Sequence, residues 1–483
     1  MKDNQHDWCL VKPRKIPCLD PDFRPAVLAN QCFRDEVKVS GKSAPLVIAV
    51  EADNGMISSY KTAVFSREDK HFDSNYNYVE RLVKFLLWQR GGWRVVIGGP
   101  AEIGGYIKGI YAAKGKRAFD AGLMAEVYAR PFTVEVTTAD KVPPDRQNAK
   151  PLGRHLDGCR IGFDLGASDR KVAAVKDGQA VFSEEVVWDP KGHSDPQYHY
   201  DEIMAALKKA AGQLPRVDAI GGSAAGIYVN NSVRIASLFR GVPKDLFEKK
   251  IRGLFQDIKK AWNNIPFDVI NDGEVTALAG SMSLTVNSIL GIAMGSSLAA
   301  GYVDKEGNVI GWLDELAFAP VDYNPQSPTD EWSGDYGCGV MYFSQVAVNR
   351  LAVKAGIMLD DKRTLAERLK DVQEMVNDGD ERALKVFETI GVYFGYTIAH
   401  YADFYDLENM LVLGRVTSGK GGDIIIKTAE EVIKTEFPAV ARKVRLVVPD
   451  EASRRVGQAI AAASLPRVAS GLPRVASGLP RVK

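Results

Sequence analysis

Cysteine is scarce in this chain, with Cys9, Cys18, Cys32, Cys159 and Cys338 the only ones in 483 residues. Their number is odd and no C-x-x-C pair occurs, which excludes a zinc ribbon or dithiol motif and leads us to expect reduced thiols in the cytoplasm. Long hydrophobic runs are absent too: none approaches the roughly 18 residues of a membrane span. Residues 1–14 are polar and broken by Pro13, unlike a secretory leader. No membrane partner is expected. Charge of neither sign prevails, since 62 Lys plus Arg stand against 61 Asp plus Glu, a formal net charge of +1. Bulk attraction to nucleic acid is thereby excluded. Two nucleotide-binding fingerprints are also lacking. Gly421 follows Lys420 where a P-loop needs Ser or Thr, and Gly98-Gly99 with Gly104-Gly105 does not fit G-x-G-x-x-G. The latter loop is retained only as an anion-site candidate.

What is present is an ordinary globular composition, 46% apolar and 25% charged, in a chain long enough for two or three domains. Pro45–Val50 and Met56–Phe65 read as strands around the turn Asp53-Asn54-Gly55. Residues 76–89 show helical spacing before Gly91-Gly92, and 94–97 read as another strand. This is α/β architecture. The Pro- and Asp-containing stretch 138–155 predicts a linker, so 1–157 is taken as an N-terminal α/β extension of unassigned role and 158–465 as the main body. Helices are expected at 200–214, 364–376 and 381–404, the last with Gly391 and Gly395 four apart, a spacing that lets another backbone pack closely. Residues 466–483 repeat L-P-R-V-A-S-G, and a Pro in every unit rules out a coiled coil, so a dispensable disordered tail is expected.

Four segments carry groups suited to a nucleoside triphosphate, which needs close backbone approach, small side chains and carboxylates to organise Mg²⁺. In the first, a strand delivers Asp164 into a turn at Gly166, followed by Ser168 and Lys171; a plain hairpin is the simpler account. In the second, Asn271-Asp272 ends a strand before an Ala-rich helix, where an N-cap is the simpler account. The third runs strand, Gly295-Ser296-Ser297, Ala299-Ala300-Gly301, strand. The fourth is Leu411-Val412-Leu413 followed by Gly414-Arg415.

In order and spacing these segments resemble the ROK family of sugar kinases and regulators, within the actin-like ATPase superfamily. Asp164 to Lys171 is similar to the family's D-x-G-G-T-x-x-K, with Ala167 and Ser168 replacing Gly and Thr. Asn271-Asp272 resembles E-N-D, with Ile270 for Glu. Gly295 to Gly301 resembles G-T-G-I-G-G-G, Leu413-Gly414 the adenosine loop, and Val456 to Ala461 the closing helix. The resemblance implies a two-lobed, ribonuclease H-like fold with ATP bound between lobes. It further implies Asp272 as general base, and Asp164, Gly166, Ser168, Lys171, Gly295, Ser296 and Gly414 on ATP and its phosphates. Asp164 would act on Mg²⁺ indirectly, and Asn271 and Glu315 would hold the substrate. Zinc-bearing members carry E-x-G-H and then C-x-C-G-x-x-G-C, whereas this chain has Glu315-Leu316-Ala317-Phe318 and, later, Cys338 alone. One thiolate without the His cannot complete a four-coordinate site. No zinc is expected.

The reading is ATP-dependent phosphorylation of a sugar or sugar-like hydroxyl, part of carbohydrate metabolism, with a small-molecule sugar as partner. Homo-oligomerisation is left open. A sensor that kept the fold and lost the chemistry is the alternative; an actin-like assembly protein would have no use for Asn271-Asp272. The strands of 45–105 do not resemble a helix-turn-helix, so no nucleic-acid partner is expected.

Overall fold

The computed structural model describes residues 10–146, 152–448, 451–468 and 475–476, with backbone alone for 451–456 and 475–476. Its first element is a helix that the strand and turn patterns did not reveal, α1 (Ala26–Ser40), which buries Ala26, Ala29, Asn30, Phe33 and Val37 along one face. Strands β1 (Ser43–Glu51) and β2 (Ile57–Phe65) then pair antiparallel from Ser43 opposite Phe65 to Glu51 opposite Ile57. Asn54 and Gly55 at positive φ make the expected turn. Helix α2 (Ser74–Arg90) is buried along almost its whole length. Strand β3 (Arg94–Gly98), helices α3 (Ala101–Ile110) and α4 (Ala118–Tyr128) and strand β4 (Thr133–Thr137) complete a sheet ordered β2-β1-β3-β4. Gly104 lies inside α3, where a Cβ would run into Val136 of β4. That glycine serves helix-on-sheet packing, which removes it from the anion-site candidate.

The central strands are β5 (Cys159–Leu165), β6 (Asp169–Lys176), β7 (Gln179–Val187), β8 (Arg216–Val217), β9 (Ala219–Ala224), the pair β10 (Ile227–Val229) and β11 (Ser232–Ile235), and β12 (Phe267–Asn271). Helix α5 (Pro196–Ala211) starts at an Asp195 cap with Pro196 in its first position, as helix termini favour. Helices α6 (Lys244–Leu246), α7 (Leu254–Ala261) and α8 (Asp272–Leu284) follow. The sheet order is β12-β9-β5-β6-β7, with β12, β9 and β5 mutually parallel. Ile161, Phe163, Leu207, Ile220 and Phe255 form its core.

Strands β13 (Ile289–Met294), β14 (Leu298–Val303), β15 (Asn409–Leu413) and β16 (Arg445–Val447) make a further sheet ordered β14-β13-β15-β16. The remaining helices are α9 (Gln345–Lys354), α10 (Leu365–Asn377), α11 (Glu381–Ala402), α12 (Gly419–Glu436), α13 (Pro438–Lys443) and α14 (Glu451–Ala463). Gly391 and Gly395 of α11 do what their spacing suggests: a Cβ there would meet Thr428 and Val432 of α12 at 2.6 and 2.5 Å. Helix α14 lies on Gly162 of β5 and Gly221 of β9, which are register neighbours, and a Cβ on either would strike its backbone.

The chain divides into two compact units, Met1–Ala149 with Ile292–Ala299 and Trp312–Leu446, and Lys150–Gly291 with Ala300–Gly311 and Val447–Lys483. The N-terminal extension, up to residue 149, thus belongs to the same unit as α9 to α13. Among the described residues no helix is long and apolar enough to cross a membrane. Cys18, Cys159 and Cys338 are free thiols, but Cys32 is disulfide-bonded, which corrects the expectation of five reduced cysteines. Most of the C-terminal repeat lies outside the described residues. Of what is described, Val475–Ala476 (β17) pairs with Arg216–Val217, and Pro466 O accepts from Arg160 Nη1 at 2.7 Å.

Candidate active site

In the unit that contains 150–291, the parallel strands β5, β9 and β12 end together at Leu165, Ala224 and Asn271. Carboxyl ends of parallel strands are where α/β sheets present ligand-binding groups. Asp164 is opposite Ser223 on one side and Lys171 on the other. Ser223 Oγ donates to Asp164 Oδ1 at 2.6 Å, and Lys171 Nζ stands 3.8 Å from Asp164 Oδ2 and 3.2 Å from Asp169. Burial pushes the Asp164 carboxyl up, a shift the Ser223 hydrogen bond and the Lys171 charge oppose. Gly166 N–H donates to Asp169 O at 2.9 Å, closing the turn. Trp188 fastens the same loop, its Nε1 donating to Gly166 O and its N–H to Ser168 O. Ser168 is left exposed at the tip, donating to Asp169 Oδ2 at 3.3 Å.

The N-cap of α8 is Asn271, not Asp272. Asn271 Oδ1 accepts from Gly273 N–H at 2.7 Å and its Nδ2 donates to Gly226 O at 2.8 Å. Both ends of this amide, expected to hold a substrate, therefore serve the fold. Asp272, first residue of α8, is half-buried and accepts from Gly273 N–H at 3.0 Å. Burial and the neighbouring Asp164 carboxylate push it up to about 6. Gly301 gives α8 its close seat: a Cβ there would meet Glu274.

The other unit, which contains Ile292–Ala299 and Trp312–Leu446, brings Gly295, Ser296 and Gly414 together. Gly295 O accepts from Gln345 N–H, the first residue of α9, and Gly295 N–H donates to Ser297 O, both at 2.9 Å. The Gly295 N–H, expected to offer itself to phosphate, is thus taken by its own turn, while Ser296 is exposed. Gly414 ends β15 at φ 102, and a Cβ would stand 2.6 Å from Met294 N and C. Only glycine suits both conditions. Its carbonyl accepts from the Thr417 hydroxyl at 3.0 Å, and Arg415 beside it is exposed. Glu315 is held elsewhere in this unit, half-buried, its N–H donating to Trp88 O at 3.0 Å.

No family model matches the chain. A glucokinase of Halalkalibacterium halodurans is 26% identical over 190 residues, 37% of this chain and 55% of the glucokinase, so the match spans about half the length of that relative. The crystal structure of a ROK hexokinase from Thermus thermophilus superposes with a TM-score of 0.50 at 17% identity, covering 63% of this chain and 97% of the hexokinase. The chain shares the fold of that hexokinase. It is an α/β architecture of several sheets and helices, with a further sheet and helices before residue 150.

Zinc of the kind carried by some ROK proteins does not fit the donors present. Cys338 is the single thiol of the stretch 315–338, and burial pushes it up to about 11. Its sulfur donates to the Asp335 carbonyl at 3.6 Å and faces a cation, Lys84 Nζ, at 3.8 Å. Among the described residues no cluster of three or more His, Cys, Asp or Glu could hold a metal. Asp164, a buried carboxylate beside Lys171 at the strand ends, is the group here that could help to hold a Mg²⁺ complex.

Sequence reasoning missed Ser223, Trp188 and Gln345. Ser223 sits in the small-residue strand Ala219–Ala224 and acquires its role only through parallel register with Asp164.

Proposed function

We propose that this protein transfers the γ-phosphoryl group of ATP to a hydroxyl of a sugar or sugar-like molecule in the cytoplasm. The observation that carries the reading is Asp272: a half-buried carboxylate beside Asp164, raised to about 6, at the strand ends of a ROK fold. Such a group is ionised at neutral pH yet basic enough to take a hydroxyl proton. The hydroxyl oxygen attacks the γ-phosphorus, its proton passes to Asp272, and the bond to the bridging oxygen breaks to release ADP. Asp164 would hold the Mg²⁺ complex indirectly, the ion neutralising phosphate charge. Ser168, Lys171 and Ser296 contact phosphate oxygens, Gly166 and Gly295 shape their loops, and Gly414 admits adenosine. Glu315 holds sugar hydroxyls, while Asn271 sets the start of α8 and so the place of Asp272. The hexokinase and glucokinase likenesses support a sugar as acceptor.

The test is purified full-length protein with ATP, Mg²⁺ and a panel of neutral, amino and N-acetylated hexoses, with ADP release and sugar phosphate measured. ADP release matched by an equal amount of sugar phosphate is expected. Sugar binding without turnover would favour the sensor over the kinase.

A further inference from the structure

The N-terminal helices carry a set of buried charges that the phosphoryl-transfer chemistry does not use. Helix α2 places Glu80, Arg81, Lys84 and Trp88 along one side, and Arg117 with Asp120 opens α4. The ionic side chains among them are at most 2% exposed. Three cations converge on one carboxylate from far along the chain, Asp335. Arg81 grips it with a fork, Nη1 to Oδ2 at 3.1 Å and Nη2 to Oδ1 at 3.0 Å. Lys84 Nζ donates to Oδ2 at 2.5 Å, and Arg117 Nη2 donates to Oδ1 at 3.1 Å. Arg81 also lies 4.1 Å over the ring of Tyr336. Glu80 and Asp120 balance the charge, Glu80 pairing with Arg81 and Arg117 and Asp120 accepting from Trp88 Nε1 at 2.7 Å.

The same helix holds the other end of that segment. Trp88 O accepts from Glu315 N–H and Gln89 O from Asp314 N–H, and the Trp88 ring stacks on Phe318 at 4.4 Å. Asp314 is tied again by the Tyr405 hydroxyl at 2.6 Å. Helix α2 therefore grips the stretch 314–338 at both ends, and Glu315 is one of the points held.

We infer that Arg81, Lys84 and Arg117 are positioning residues, a cationic clamp through which the N-terminal extension fixes Glu315 for the sugar. The inference rests on the kinase reading for the role of Glu315, though not for the clamp itself. Buried ion networks seldom stabilise a fold better than apolar packing would, and their best-attested use is to specify one arrangement. Here the arrangement specified is that of 314–338, the stretch where zinc would act in metal-bearing ROK proteins. Lys84 reaches both Asp335 and Cys338 there.

The experiment compares Lys84→Met and Lys84→Arg with the wild type in the full-length protein. Kinetics should show the sugar KM rising by about tenfold or more in Lys84→Met, the scale on which outer-shell partners act, with the ATP KM within about twofold. Lys84→Arg, which keeps the charge, should recover part of the loss. Amide hydrogen exchange gives a readout independent of turnover: Asp314 and Glu315 should exchange faster in Lys84→Met, while amides of β5 and β9 stay protected. If Lys84→Met is insoluble, Arg81→Lys, which loses the fork and keeps the charge, is read the same way. Unchanged exchange at 314–315 would overturn the clamp, as would a lowered Tm with the sugar KM unmoved. A wild-type protein that phosphorylates no sugar would overturn the kinase reading alone, and the exchange data would still decide the clamp.

Discussion

A carboxylate near 6 works as a base at neutral pH only if it is ionised, so the rate should carry its titration. The kcat of the wild type is expected to fall about tenfold per pH unit below about 6 and to level off above it. Asp272→Asn should lose that limb along with roughly 10²-fold or more of turnover, while ATP and sugar still bind. Stability moves the other way. The folded state binds the Asp272 proton more tightly than the unfolded chain, so stability declines as pH rises from the usual carboxylate range through about 6, and the cost is fully present above it. Asp272→Asn should therefore raise stability at pH 7, by about 1–2 kcal/mol once partial exposure is allowed for. An N-cap aspartate would predict neither effect, and the cap is in any case Asn271. Wild-type activity in Asp272→Asn would remove it from the mechanism. Asp164 and Asp272 were legible in sequence because each comes at the end of an apolar strand and shortly before a glycine, Gly166 and Gly273. The Ser223 hydrogen bond to Asp164 was not, because it depends on which strands lie side by side.

Elements bounded by strong punctuation were equally legible. The hairpin at Asn54-Gly55, the α2 stop at Gly91 and the paired glycines of α11 all form as their chemistry suggests. Helix α1 escaped because small or polar residues, Ala26, Ala29 and Asn30, interrupt its buried stripe between Val27, Phe33 and Val37, so its period is weak against a polar background. The stretch 315–338 was legible only by what it lacks. Its sequence announces a missing His and missing cysteines, whereas Arg81, Lys84 and Arg117, which occupy Asp335, lie more than 200 residues earlier. The absence of zinc therefore stands as a prediction: protein purified without chelator should contain far less than one zinc per chain by elemental analysis. One equivalent of zinc would mean that Cys338 and Asp335 recruit ligands the donor set does not show, and would displace Lys84 from its assigned place.

Across the whole molecule, a sequence reading cuts the chain at composition changes, such as the linker at 138–155. The compact units are discontinuous, because the chain passes from one to the other within β13, within β14 and again within β16. Sequence proximity carries no sign of that. The C-terminal end shows the consequence most directly. By composition alone, everything after Leu465 reads as removable. Yet the Arg160 side chain is 0% exposed, and one of its nitrogens donates to the Pro466 carbonyl, while its others are met by Asp157. A buried donor left without its acceptor costs about 1–3 kcal/mol. Two truncations separate the possibilities. A chain ending after Val468 gives up the two-residue pairing of β17 with β8 but keeps the Pro466 carbonyl, and is the reference. A chain ending after Leu465 loses it and should melt a few degrees lower, about what 1–2 kcal/mol moves a protein of this size. Equal melting temperatures for the two would show that the Arg160 to Pro466 bond contributes nothing, and that the boundary at 466 is the correct place to end the folded chain.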